Sequence, residues 1–263
     1  MPRIAALYRY PVKGFGPEAC TTLTILPDGR AAGDRVLGFR YASSPAPDEA
    51  WSTKHEFVAL VNTPGLARLE LVFDEAALRL SIARDGALLA EAALDAGGRK
   101  HLAAALAEYV LACRDNPLTG HPERLPLRLA GDGRTPRYQD NVAGQVTLHS
   151  RASLAAVADA AGDGALSERR FRSNIAIEGV AAWEEQRWIG RAVQIGTVTF
   201  DVVAPKTRCL ATHANPRTGE RDIAVMPLLV QAFPQERPTF AVAMLPRDGG
   251  GRIEIGEPVR LLD

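Results

Sequence analysis

The segment WIGRAVQIGTVTFDVVAPKTRCLATHANPRTGERD, residues 188–222, decides how this chain folds and where its chemistry lies. It opens with two short runs, WIGRAVQIG and VTFDVVAP, in which apolar and polar residues alternate around a Gly-Thr turn. That period of two belongs to β-strands with one face buried. An unusually polar run, Lys206 to Asp222, follows the second strand directly. Cys209 stands at the strand end with Arg208 beside it and Lys206 three residues back. A cation next to a sulfur favours the thiolate, the form that attacks electrophiles and binds metals. Thr207, Thr212, His213, Asn215 and Arg217 add donors around it. The combination suits an anionic ligand held by sulfur. A buried cysteine beside a solvated loop is the plainer alternative.

The same pattern repeats outward along the chain. Towards the N-terminus, IAALYRYPVKG, CTTLTILPDGR and GDRVLGFRYAS read as strands. LARLELVFD, ALRLSIARDG and ALLAEAAL follow, with Asp85-Gly86 as a hairpin turn. Leu102, Leu106, Tyr109 and Val110 recur at helical spacing and predict a helix over 100–113. The proline- and glycine-rich stretch 116–141 lacks a period and reads as a linker. Beyond it, QVTLHS, FRSNIAI, FAVAMLP and GRIEIGEPVRLL read as strands. SLAAVADAAG reads as a helix capped by Ser153, and a further helix is predicted over 223–233. Short strands with few helices imply a mostly β, barrel-like architecture with peripheral helices.

Composition narrows the function classes. The 263 residues carry 31 basic and 31 acidic side chains, so no global field draws the chain to nucleic acid or an anionic membrane. Only four basic residues are lysines (Lys13, Lys54, Lys100, Lys206), a bias towards arginine that a GC-rich genome also produces. No run reaches the ~18 apolar residues of a membrane span. The N-terminus lacks the apolar region of a secretory signal. Three widely spaced cysteines (Cys20, Cys113, Cys209) argue against a disulfide framework and for the cytoplasm. Walker, GxGxxG, GxSxG, HExxH and CxxC signatures are missing, and the five histidines never cluster with cysteine at zinc spacing.

Two further clusters accompany the cysteine. In ERRFRSNIAIEG, Arg170 and Arg172 would share one face of a strand and form a phosphate clamp, with Asn174 close by. In YPVKGF, Lys13 and the backbone at Gly14 offer an ammonium and open N–H groups to an anion. Each also has a bland reading, as a solvated edge and as a turn.

Taken together, strand-YPVKG near the start and FRSNIAIEG…WIGR..QIG.V.F.VV….RC..TH.NP.TG.RD later resemble the MOSC-domain proteins. These are relatives of the molybdenum cofactor sulfurase C-terminal domain and of the mitochondrial amidoxime-reducing component. The resemblance covers nearly the whole chain. It implies two β-barrel-like units: a MOSC N-terminal β-barrel domain over 1–115 and a MOSC domain, similar to the pyruvate-kinase β-barrel, over 125–263.

It also implies a molybdenum cofactor (molybdopterin) site with Cys209 as molybdenum ligand or sulfur carrier. Lys13, Gly14, Arg35, Ser150, Arg172, Asn174, Thr207 and Arg208 would then bind the cofactor. Lys13, Arg35, Ser150, Arg172 and Cys209 are expected to converge in one cleft. The sequence departs from the reductases at Gly14, where they often carry serine, and at Lys54, where they often carry arginine.

The implied activity is reduction of small N-hydroxylated or N-oxygenated compounds. Three cysteines cannot build a four-cysteine iron–sulfur cluster, so electrons are expected from a separate ferredoxin- or cytochrome-like partner. The alternative is a sulfur carrier or trafficking protein with a persulfide on Cys209 and a cofactor-maturation partner. No aminotransferase-like segment is present, so pyridoxal phosphate is not expected to bind.

Overall fold

The computed structural model describes residues 1–164 and 166–262. Alternation of buried and exposed side chains puts most of the chain into strands. The first part contains β1 (Arg3–Arg9), β2 (Glu18–Cys20), β3 (Thr22–Ile25), β4 (Gly38–Arg40), β5 (Leu69–Asp74), β6 (Arg79–Arg84) and β7 (Ala87–Ala93). Asp85 and Gly86 join β6 to β7 with φ of 53° and 79°, the pair of left-handed residues that a tight hairpin needs.

Helix α1 (Ala96–Leu111) follows, starting four residues earlier than its periodicity predicts. The reason is local. The Asp95 side chain accepts from the Gly98 N–H at 2.8 Å and caps a first turn that two glycines disguise. Leu102, Leu106 and Val110 bury one face of the helix.

The second part contains β8 (Arg128–Ala130), β9 (Val146–Ser150), α2 (Arg151–Ala161), β10 (Ile175–Glu178), β11 (Ala192–Ile195) and β12 (Val198–Thr207). It closes with α3 (Val225–Gln231), β13 (Thr239–Pro246), β14 (Gly251–Glu254) and β15 (Val259–Leu261). The cap of α2 is Ser150, three residues before the serine predicted. Its hydroxyl accepts from Ser153 N at 3.0 Å.

Eight strands form one sheet in the order β15-β11-β12-β13-β9-β10-β1-β2, with β9 and β10 parallel and the other pairs antiparallel. The fold is thus mostly β, with three α-helices among the described residues. Among the described residues no pairing closes this sheet into a barrel. A three-stranded sheet, β5-β6-β7, packs on α1, and β4 pairs with β8. Among the described residues no helix is long and apolar enough to cross a membrane.

The stretch 116–141 is packed rather than a free linker. Leu118, Leu127, Leu129 and Tyr138 are buried, and β8 lies within it. Their irregular spacing hides this from a periodicity argument.

Among the described residues the two largest of four apolar clusters each draw on both halves of the chain. Ile4, Leu7, Leu23 and Ile25 belong to the core beneath the eight-stranded sheet. Ala211 and Ala214, just beyond Cys209, join the core formed by residues 12–129.

Candidate functional site

A cleft opens at the seam between the turn carrying Arg35, the loop 139–145, the segment 170–174 and the segment 206–212. The free space within it is about 640 Å³, counting the solvent at its mouth. Arg35, Arg172, Asn174, Thr207, Arg208 and Cys209 all line it.

Cys209 is placed by the end of β12. The strand stops at Thr207, and the Cys209 carbonyl accepts from both the N–H and the hydroxyl of Thr212 at 3.0 Å. These bonds fold the chain into a short turn over 210–213 and leave the thiol half-buried at the cleft.

Arg208 is rigidly held. Its Nη1 donates to the Phe171 carbonyl at 2.6 Å and its Nε to the Phe240 carbonyl at 2.7 Å. Burial, against the attraction of the Cys209 sulfur, lowers its pKa to about 10. Its donors are spent on the scaffold, but its charge remains in the wall of the cleft.

Arg172 is the reverse case. It follows a short turn over 168–171, where the sequence predicts a strand, and adopts left-handed φ and ψ of 53° and 37°. Arg170 and Arg172 therefore do not share a strand face. Arg170 instead forms a two-pronged pair with Asp222 at 2.8 and 2.9 Å. The Nε and Nη2 atoms of Arg172 are buried with no hydrogen-bond partner. Burial and the nearby Arg35 charge both lower its pKa.

Arg35 is also left-handed, with φ of 55°, and pairs with Asp34. The guanidinium carbons of Arg35 and Arg172 each lie 5.0 Å from the centre of the Tyr10 ring, within cation–π range. Two non-glycine residues in a sparsely populated conformation, both turned to one buried ring, mark a strained and rigid element of the kind found at ligand sites.

Lys13 lies deeper, 2% exposed. Its Nζ donates to the Tyr138 carbonyl at 2.7 Å and to Asp140 Oδ1 at 3.0 Å. It reaches the cleft through Asp140, which lines it. Burial pushes the Lys13 pKa down, against the pull of Asp140. Although its side chain is half exposed, partial desolvation would raise the Asp140 pKa, yet Lys13, Arg172 and Arg35 together hold its carboxyl well below the usual carboxylate range.

Asn174 faces the cleft but is committed to the scaffold. Its Oδ1 accepts from Thr147 N at 3.2 Å and its Nδ2 donates to the Tyr8 carbonyl at 3.2 Å, tying β9 to β1. Besides Lys13, two predicted residues lie away from the lining. Ser150 is fully buried as the α2 cap, bonded to Ser153 at 2.8 Å, while Glu185 takes the Ser150 N–H at 3.2 Å. At Gly14, φ is 84°, and an added Cβ would lie 2.6 Å from that of Ala59. Gly14 is thus a packing glycine, and a serine there would clash.

Lys206 and Asp140 complete the cleft, and the sequence reading placed neither among its site residues. The β12–β13 register shifts between Pro205 and Thr207, and a bulge of this kind re-aims the side chain within it. Burial, then the Arg208 charge, lowers the Lys206 pKa. Its place in KTRC was the available signal. Nothing in the sequence pointed to Asp140.

Most of the cleft lining falls in the part of the chain that a family model matches. Residues 134–260 match the model of the MOSC domain family. MOSC domains are associated with the molybdenum cofactor. A stretch of 53 residues is 40% identical to the human (Homo sapiens) molybdenum cofactor sulfurase, covering 20% of this chain and 6% of that protein. Among solved structures, the YuaD protein of Bacillus subtilis aligns over 98% of this chain and 94% of its own at 9% identity and a TM-score of 0.45. YiiM of Geobacillus stearothermophilus aligns over 45% of this chain and 54% of its own, at 18% identity and a TM-score of 0.33.

Proposed function

We propose that this MOSC-domain protein holds a molybdenum cofactor in the cleft and reduces small N-hydroxylated or other N-oxygenated compounds in the cytoplasm. The observation that carries the reading is Arg172, whose two buried guanidinium nitrogens have no partner within the protein, in the same cleft as the Cys209 thiol. Leaving such donors unpaired costs about 1–3 kcal/mol each, or more when charged. A ligand with anionic oxygens recovers that cost.

The donor set fits a molybdopterin-type group. Arg35, Arg172 and Lys13 suit its phosphate, and Cys209 supplies the soft sulfur donor that a sulfur-rich metal centre takes. When bound, such a cofactor supplies a two-electron redox centre. The net reaction consumes two electrons and two protons and releases amine and water. Arg208, locked by two backbone carbonyls, keeps positive charge beside Cys209 without competing for the ligand. The Lys206 ammonium and the Thr207 hydroxyl, both lining the cleft, are positioned to hold protons. Electrons come from a separate ferredoxin- or cytochrome-like carrier. Pyridoxal phosphate plays no part.

A second reading is supported by the 53-residue likeness to a cofactor sulfurase. Here Cys209 carries a persulfide and hands sulfur to a cofactor-maturation partner.

Molybdenum and pterin content of protein from a cofactor-competent host tests the proposal, followed by reduction of an amidoxime with an artificial electron donor. Cys209→Ser is expected to lose both metal and activity while costing at most about 1–2 kcal/mol of stability. Cys20→Ser and Cys113→Ser are expected to keep both. Burial raises the pKa of those two thiols. Full activity in Cys209→Ser sinks both readings. A sulfane sulfur on Cys209 without molybdenum selects the second.

A further inference from the structure

We infer that Asp140 is a built-in competitor for the anionic ligand of the cleft: its carboxylate holds the place among Lys13, Arg35 and Arg172 that the ligand's anionic group takes over, and binding releases the loop 139–145. This deepens the reading of the cleft as an anion site and does not depend on which metal or reaction it serves.

Three observations converge on it. The first is an asymmetry between the cations and the acid. Arg35 and Arg172 are fixed by left-handed backbone and by Tyr10, whose hydroxyl is itself held at 3.0 Å by the Ser173 carbonyl. The Asp140 side chain, by contrast, is 53% exposed and sits on a surface loop outside any strand. The moving part is therefore the acid.

The second is that Lys13 has two partners. When Asp140 leaves, the Tyr138 carbonyl at 2.7 Å still aims the ammonium. The third is a mismatch of donors. A carboxylate has two oxygens, and Asp140 uses one on Lys13 while Arg172 keeps two nitrogens unpaired. A phosphate, with more acceptor oxygens and more charge, satisfies more of these donors at once.

Residues 140–143 of the loop are exposed between the buried Gln139 and Gly144. Its turn closes on itself, through Gly144 N to the Asn141 carbonyl at 3.1 Å and Ala143 N to Asn141 Oδ1 at 3.0 Å. Its outer tethers are the Arg30 guanidinium on the Val142 carbonyl at 2.5 Å and the Trp51 indole N–H on the Gln139 carbonyl at 2.9 Å.

The test titrates cofactor-free protein with inorganic phosphate in a calorimeter, comparing wild type, Asp140→Asn and Arg172→Met. Asp140→Asn keeps the shape of the loop but removes the competing charge. It is expected to bind phosphate about 10-fold or more tightly than wild type, and Arg172→Met more weakly. Equal or weaker binding by Asp140→Asn overturns the inference, as does phosphate binding to none of the three. Should Asp140→Asn fail to fold, amide hydrogen exchange on wild type decides. Phosphate is expected to speed exchange over 139–145, and protection or no change there overturns the inference. Missing molybdenum in the holoprotein strikes only the proposed function.

Discussion

Two arginines with buried guanidinium nitrogens, Arg40 and the half-buried Arg172, have opposite surroundings. Arg40, at the end of β4, is fully buried. Its two Nη atoms make four hydrogen bonds, to the carbonyls of Ala46, Pro47 and Ala50 and to the Ser52 hydroxyl, at 2.6 to 3.1 Å. Its guanidinium also lies 4.9 Å from the Phe57 ring centre. Arg172 has the same chemistry and a similar setting beside an aromatic ring, yet both its Nε and its Nη2 are unmatched, whereas in Arg40 only the Nε is. An arginine whose donors are spent on backbone is part of the scaffold that holds a loop in place. One whose donors are unspent is waiting for a ligand. Arg208 belongs with Arg40 in this respect, although it lines the cleft.

Arg40→Met tests the scaffold side and carries the largest expected effect. It leaves four acceptors unpaired in the loop 45–52, so a loss of about 3 kcal/mol or more is expected in urea unfolding. A loss below about 1 kcal/mol would erase the contrast with Arg172.

Glu168 tests the turn that carries Arg172. Its carboxylate accepts from the Tyr8 hydroxyl at 2.6 Å and lies 3.3 Å from His149 Nε2. Burial opposes ionisation, but these contacts and Arg151 bring its pKa down from 4.5 to about 2. The folded form therefore binds fewer protons than the unfolded form between those values. The stability Glu168 contributes is full above about pH 4.5 and is lost as the pH falls towards 2. Glu168→Gln is expected to remove about 2 kcal/mol at neutral pH and to flatten that acid limb. An unchanged limb would show that the turn is held by other contacts.

A smaller effect is expected from Ser150→Ala, the loss of one helix cap. The cost should be about 1 kcal/mol in thermal or urea unfolding, with no change in phosphate binding. Weakened phosphate binding would return Ser150 to the site.

The smallest stability change is expected from Arg172→Met. It breaks no hydrogen bond of the two buried nitrogens and removes a charge that burial and Arg35 both oppose, so stability should stay within about 1 kcal/mol of wild type. Stability near wild type with weakened phosphate binding sharpens the comparison. A loss as large as that of Arg40→Met breaks it.

The family signature led to Arg35, Arg172, Thr207, Arg208 and Cys209, all of which line one cleft. It also pointed to Gly14 and Ser150, which serve packing and capping. Sequence matching recovers positions that a fold retains without separating ligand contact from local structure, since both keep a residue type in place.

By itself, the sequence determined the strand-rich class, the hairpin at Asp85-Gly86, and the polar segment after β12 with its single cysteine. Each of these is local. Alternation, two left-handed turn residues and a run of charge can all be read within a dozen positions. Only the tertiary structure decided that β1 pairs with β10 across more than half the chain, that 116–141 is packed, and that Asp140 pairs with Lys13 in the cleft that Arg35 and Arg172 line. It alone decided which arginines have spent their donors. Hydrogen-bond satisfaction depends on carbonyls supplied by distant segments, Phe240 for Arg208 and none for two nitrogens of Arg172, and nothing in a residue's own neighbourhood records where those segments arrive.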